Sequence, residues 1–185
     1  MSNVKWMNVG ICAGLLFSAG LSFADGAPQR MAPASTAAPA DLDFLVRALR
    51  VNQTEIVLGQ MALRRATTPE VRAMGEKMVE RHTELARQLR ELAQSDPVSE
   101  PPTLTAEQQK TVTRMAAVPD YEFDRSFKDT VGAGHVDELA MYRGEVGHAA
   151  DPRLRALATG RVAALEQSMV SASQAASVPP KKRGW

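Results

Sequence analysis

The sequence predicts an all-α protein, an antiparallel four-helix bundle with a short extra helix in the central connection. Apolar residues recur at steps of three and four along four long segments, and no stretch alternates over the length of a strand. The prolines fall between these segments. A helix of about 25 residues extends about 38 Å and cannot bury its apolar stripe alone. Short first and third connections favour antiparallel neighbours.

The first two long helices are predicted over residues 41–66 and 69–94. Thr68 followed by Pro69 is typical of an N-cap and a first helical residue. The first apolar stripe consists of Leu45, Leu49, Asn52, Ile56, Gly59 and Leu63. The second consists of Val71, Met74, Met78, His82, Leu85, Leu89 and Leu92.

The second half of the domain begins with a short helix predicted over residues 106–117, where Thr105 and Gln108 form a capping-box pattern. Two long helices follow, over 120–148 and 152–176. Their stripes are Phe123, Phe127, Val131, His135, Leu139, Tyr142 and Val146, then Leu154, Ala158, Val162, Leu165, Met169 and Ala172. The sequence therefore assigns residues 41–176 to one bundle domain.

The N-terminus has the pattern of a signal peptide over residues 1–24. Lys5 precedes an apolar run at 9–21 that is shorter than a typical membrane span, and Ser22 and Ala24 supply small residues before the expected cleavage. We expect export to the periplasm, with association with the outer membrane as a further option. An Ala- and Pro-rich flexible leader is predicted at 25–40.

Charge and cysteine content exclude several classes. The only cysteine, Cys12, lies in the signal peptide, so the mature chain has no disulfide or thiolate site. Without Lys5 the chain has 22 − 1 = 21 basic residues against 21 acidic ones, which argues against nucleic-acid binding. The basic tail at 177–185 is predicted to be disordered. It could contact an envelope protein or an anionic membrane surface.

Glu55, His82 and His135 are metal-capable residues on or beside the predicted apolar stripes. An ionisable side chain in a bundle core requires a partner. One interpretation is structural: hydrogen-bonded core histidines, and a glutamate that is solvated or paired with an arginine. The other is a shared metal site, because Glu55 and His82 lie at matching depths, about 12 residues before and 14 after the first loop.

The residue types limit the metal. A di-iron site would need Glu-x-x-His pairs, but Val79 and Gly132 stand three residues before the two histidines. One glutamate and two histidines suit a single zinc. Met78 lies one turn before His82, which would favour copper, although methionine there is also typical of core packing. No nucleophile motif indicates catalysis.

The order and spacing of several motifs resemble a known family. They are Asp43-Phe44-Leu45, Asn52-x-x-Glu55-Ile56-x-Leu58-Gly59, Met78-Val79-x-x-His82, Phe123-Asp124, His135-x-x-x-Leu139-x-x-Tyr142 and Asp151-Pro152-x-Leu154. The chain resembles, over about 41–174, the bacterial secreted family known as domain of unknown function 4142, whose members are often labelled membrane or outer-membrane proteins. This resemblance implies a ferritin-like bundle.

The resemblance also implies a glutamate on the first helix and one histidine on each later long helix. Glu55, His82 and His135 match that pattern, but Ser168 stands at the fourth position. Arg81 replaces the acidic residue often found before the second-helix histidine, and both departures weaken metal affinity. We therefore expect an exported bundle that acts by binding, in the envelope or in a stress response. A mononuclear metal-binding protein or metalloenzyme, and a structural interaction module, are the alternatives.

Overall fold

A computed structural model describes residues 38–93 and 103–177, and all of its regular elements are helices. These are α1 (Pro39–Arg65), α2 (Pro69–Ala93), α3 (Ala106–Ala117), α4 (Asp120–His148) and α5 (Pro152–Ser177). The predicted all-α bundle with a short extra helix is confirmed. None of the described helices is both long and apolar enough to span a membrane.

The start of α1 differs from the prediction. Helix α1 begins at Pro39, inside the range predicted as leader, because proline lacks the N–H that a first turn leaves unpaired. The signal peptide predicted at 1–24, the rest of the leader and the basic tail from 178 lie outside the described residues.

Side chains close the helix ends as the sequence predicts. Thr105 Oγ1 accepts a hydrogen bond from the Gln108 backbone amide at 3.3 Å, and the Thr105 backbone amide donates to Gln108 Oε1 at 2.9 Å, which completes the capping box.

Asp41 connects two segments that are distant in the sequence: its carboxylate accepts hydrogen bonds from the backbone amides of Ala150 and Asp151 at 3.0 and 2.8 Å. The loop between α4 and α5 is therefore fixed to the first turn of α1.

The core consists of two apolar clusters with a polar layer between them. The polar layer consists of Asn52, Glu55, His82, His135, Glu138 and Arg161. The first cluster joins α1, α2, α4 and α5, and its largest side chains are Phe44, Leu45, Leu49, Leu85, Leu89, Tyr142, Leu154 and Leu165. The second cluster joins α1, α2, α3 and α4. It includes Leu58, Met61, Val71, Met78, Met115, Phe123, Phe127 and Val131. Helix α5 adds no buried residue to the second cluster, where α3 contributes Met115 instead.

Helices α1 and α2 approach each other closely at two glycines. A Cβ atom on Gly75 would lie 2.7 Å from the Ala62 Cβ and 2.9 Å from the Gly59 carbonyl oxygen. A Cβ on Gly59 would lie 2.9 Å from Val79 Cγ2. Gly59 therefore allows the close approach of α1 and α2.

The inward faces of α1 and α5 differ by one residue from the predicted stripes. Glu55 is buried and Ile56 only half-buried, while Arg161 is buried and Val162 half-buried. Ala172, assigned to the stripe of α5, is exposed. A period of 3.6 residues permits either neighbour at such positions, and packing against the other helices selects the polar one.

Candidate metal centre

His82 is held in one orientation by α1. The Asn52 side-chain amide donates through Nδ2 to the Ala48 carbonyl at 2.7 Å, which leaves Asn52 Oδ1 facing His82 Nδ1 at 2.9 Å. Because Oδ1 can only accept, Nδ1 carries the proton and Nε2 retains its lone pair. Both side chains are buried, at 0% and 1% exposure. This is the arrangement in which a histidine can bind a metal through Nε2.

The charge state of His82 agrees with that geometry. Burial is the main cause that lowers the pKa of His82 from 6.5 to about 3, and the positive charge of Arg161 adds to it. The imidazole is therefore neutral at physiological pH. Burial likewise lowers the pKa of His135, although the nearby Glu138 carboxylate opposes that effect.

Helix α4 supplies the other donor atoms. His135 and Glu138 lie one turn apart on this helix. One ring nitrogen of His82, one ring nitrogen of His135 and one carboxylate oxygen of Glu138 all lie within 4.8 Å of one another. Glu138 is buried, whereas His135 is half-buried. Two imidazoles and one carboxylate thus meet in the polar layer.

Arg161 places a positive charge among these donors. Its Nε and Nη2 atoms donate to the two Glu138 carboxylate oxygens at 2.8 and 2.7 Å, and Nη2 lies 3.4 Å from His82 Nε2. The arginine is only 6% exposed. An arginine can be buried in a core only where a carboxylate compensates its charge. The guanidinium therefore lies beside both Glu138 and His82, and the carboxylate compensates its charge.

Glu55 borders this group without belonging to it. Its Oε2 atom is buried and has no hydrogen-bond partner among the described residues. Burial, reinforced by the Glu138 carboxylate and opposed by Arg161, raises the pKa of Glu55 from 4.5 to about 8. The side chain is protonated at neutral pH. The structure thus brings His82 and His135 together with Glu138, while Glu55 is not one of the three clustered ligands.

Sequence reasoning missed two members of the polar layer. Arg161 lies three residues after Ala158 and four before Leu165, both buried, so a stripe traced through position 161 would have revealed it. Glu138 lies three residues after His135, in the reverse of the Glu-x-x-His order considered for a di-iron site. Tyr142 completes the layer: burial raises its pKa, and its hydroxyl lies near the Asn52 amide without hydrogen-bond geometry.

A pocket of about 320 Å³ between α2, α4 and α5 leads to the two histidines. Its walls include Met74, Met78 and Ser168. Ser168 thus lies beside His82 and His135. His148, in contrast, is exposed and bonds through Nδ1 to the Gly144 carbonyl at 2.7 Å, as expected for a histidine at a helix C-terminus.

The family model described as Domain of unknown function (DUF4142) matches residues 26–175, most of the chain. The chain belongs to this family. The resemblance noted in the sequence is thereby confirmed. No curated protein matches the chain.

One solved structure similar to this chain is described as "CopM in the Cu(II)-bound form". It shares 15% sequence identity with this chain, with a TM-score of 0.60 over 72% of this chain and 93% of that one. This similarity establishes a shared fold.

Proposed function

We propose that this member of the family is an exported protein that binds one divalent metal ion, copper or zinc, through His82, His135 and Glu138. The observation that carries the proposal is the meeting of three ligand atoms from two helices within 4.8 Å. Imidazole and carboxylate ligands suit both metals. Copper is the first choice, because the similar structure is a Cu(II)-bound protein.

The environment of His82 supports this choice of site. A metal ligand must be deprotonated, and the pKa of about 3 means that His82 releases no proton on binding at neutral pH. The hydrogen bond from Nδ1 to Asn52 orients the ring and directs Nε2 to Glu138 and Arg161. Such outer partners are typical of metal-binding histidines.

Arg161 sets the affinity under this proposal. The guanidinium and a metal ion would compete for the same Glu138 oxygens, since the guanidinium donates hydrogen bonds to the lone pairs that a metal ion would bind. Binding therefore requires Arg161 to withdraw, for which the neighbouring pocket lined by Arg81, Leu157 and Gly160 offers room. The competition predicts moderate affinity.

A second candidate function is a metal-free structural module of the cell envelope. The observation that favours it is the continuous set of contacts from Asn52 through His82 and Arg161 to Glu138, in which the arginine already supplies the compensating charge. Under this alternative the polar layer fixes helix register, a known use of buried polar groups.

Metal titration distinguishes the two functions. Isothermal titration of the mature chain with Cu(II) and Zn(II) should show one site, and His135→Ala should weaken binding at least tenfold because one of three ligands is lost. His148→Ala is the matched control, since that histidine is exposed and hydrogen-bonded to its own helix. Equal binding by both variants would contradict the proposed ligands.

Export is part of the same proposal. The predicted signal peptide at 1–24 should be removed, so that protein recovered from a periplasmic extract begins at Asp25. Intact mass spectrometry measures this directly. The full-length mass in the cytosolic fraction alone would exclude a periplasmic metal-binding role.

A further inference from the structure

A second cavity, here called the acidic pocket, lies between α1, α3 and α4. Its volume is about 590 Å³, larger than that of the pocket leading to the histidines. Glu138 lines it, but His82 and His135 do not. The acidic pocket thus reaches the polar layer at its carboxyl groups and not at its imidazoles.

The inner wall of the acidic pocket carries a buried carboxyl group that lacks a partner. Glu55 is 5% exposed, and its Oε2 atom forms no hydrogen bond with any described residue. Leaving such a group unpaired costs about 1–3 kcal/mol. A ligand donating a hydrogen bond to Glu55 would remove that cost.

A glycine leaves room over the Glu55 carboxyl. Gly134 also lines the acidic pocket, and a Cβ atom at this position would lie 3.0 Å from Glu55 Oε1. Any larger residue would crowd the carboxyl group. The chain therefore accepts a glycine in the middle of α4, which costs about 0.5–1 kcal/mol relative to alanine.

The lining is rich in carboxyl groups and has a substantial apolar part. Five carboxyl residues line the pocket against a single basic residue, Arg114; of the five, Glu55 is protonated and Glu138 is paired with Arg161. The five are Glu55, Glu107, Asp129, Asp137 and Glu138. Val51, Leu58 and Met141 supply apolar walls. Clustered carboxylates at a cleft attract cations, and apolar walls favour a carbon body.

We propose that the acidic pocket binds an organic amine, with its ammonium group directed at Glu55 and its apolar body against Leu58 and Met141. An ammonium group has three donors and no acceptor, so it can donate to the unpaired Glu55 oxygen, and its positive charge favours the ionised form of that carboxyl group. A hydrated metal ion would use the carboxylates but leave the apolar walls without a partner. The acidic pocket shares Glu138 with the proposed metal site, but the ammonium position at Glu55 does not require a bound metal.

Three phenyl compounds of similar size test the ligand class: 2-phenylethylamine, 2-phenylethanol and 3-phenylpropionate. Titration calorimetry of the mature chain should show the amine binding at least tenfold more tightly than the alcohol, with no detectable binding of the carboxylate. Equal binding of amine and alcohol would overturn the proposal. So would displacement of the amine by an equal concentration of Ca²⁺, which would indicate a simple acidic rim.

Two variants test the location. Ala133→Trp fills the acidic pocket from an exposed position and should reduce amine affinity at least tenfold. Ala163→Trp adds the same side chain to an exposed position on α5 and should have no effect. Glu55→Leu, which removes the inner carboxyl group, should reduce affinity to a similar extent as Ala133→Trp.

Further measurements keep the test independent of folding and of the metal. Asp137→Asn changes only an exposed rim charge and should weaken amine binding two- to fivefold, even if a larger substitution disturbs the helix. Cu(II) binding by Ala133→Trp should equal that of the wild type, because none of the proposed metal ligands changes. Unchanged amine affinity in Ala133→Trp and Asp137→Asn would overturn the proposed site.

Discussion

At the scale of single residues, the polar layer holds ionisable groups whose pKa values move in opposite directions. Burial raises the pKa of Glu55 to about 8 and lowers that of His82 to about 3, so both groups are neutral near pH 7. The only full charges at the centre are those of Glu138 and Arg161, which pair at 2.7 Å. The core therefore excludes net charge while keeping His82 Nε2 unprotonated.

These shifts predict how stability depends on pH. Between 4.5 and about 8, folded Glu55 keeps a proton that the unfolded chain has lost, so its contribution to the free energy of unfolding falls as pH rises. His82 has the reverse effect between about 3 and 6.5. Above pH 6.5 only the Glu55 effect remains of these two. Wild type should then lose up to about 1.4 kcal/mol per pH unit up to pH 8.

Glu55→Gln should abolish that loss, because glutamine has no proton to release. Urea unfolding at pH 6.5, 7.2 and 8 measures the slope for both proteins. Parallel slopes in wild type and variant would show that Glu55 ionises normally in the folded protein.

At the scale of helices, sequence periodicity predicted all five elements because prolines and caps mark their ends. The stripes erred by one residue at Glu55 and at Arg161, where the predicted core residues were Ile56 and Val162. A glutamate or an arginine next to an apolar stripe is ordinarily predicted to face solvent, since an ionised side chain is buried only with a partner. Arg161 has its partner, Glu138, on α4, and Glu55 is buried as a protonated carboxyl group, so spacing along one helix could not reveal either residue.

The contact between α1 and α2 gives a prediction at this scale. Gly75→Ala places a Cβ within 2.7 Å of Ala62 Cβ and should destabilise the fold by about 1–3 kcal/mol by overpacking. Gly160→Ala meets no atom within 4 Å and should stabilise α5 by about 0.5–1 kcal/mol. Chemical denaturation checks both, and destabilisation by the two variants alike would mean that helix separation is not limited at Gly75.

At the scale of the whole molecule, two apolar clusters enclose the polar layer, and two cavities reach it, one between α2, α4 and α5 and one between α1, α3 and α4. The sequence predicted Glu55, His82 and His135 as a group because all three lie on or beside apolar stripes, and because Glu55 and His82 match in depth along the bundle. It could not predict Glu138 as the third clustered ligand or Arg161 as its partner, because depth along a helix does not define which neighbour a side chain faces. Metal binding at this layer should couple to global stability, since the ligands and their partners come from four helices, α1, α2, α4 and α5.

Arg161→Met tests this account most directly, because it removes the competing charge but not the three proposed ligands. The metal-free variant should melt at a lower temperature than the wild type, as Glu138 is then buried and unpaired. Cu(II) should bind the variant at least tenfold more tightly, restore its melting temperature and show nitrogen hyperfine coupling from two imidazoles in electron paramagnetic resonance. If neither protein binds Cu(II) or Zn(II) more tightly than about millimolar, or if Cu(II) leaves the variant's melting temperature unchanged, the polar layer is a structural ion-pair network and not a metal centre.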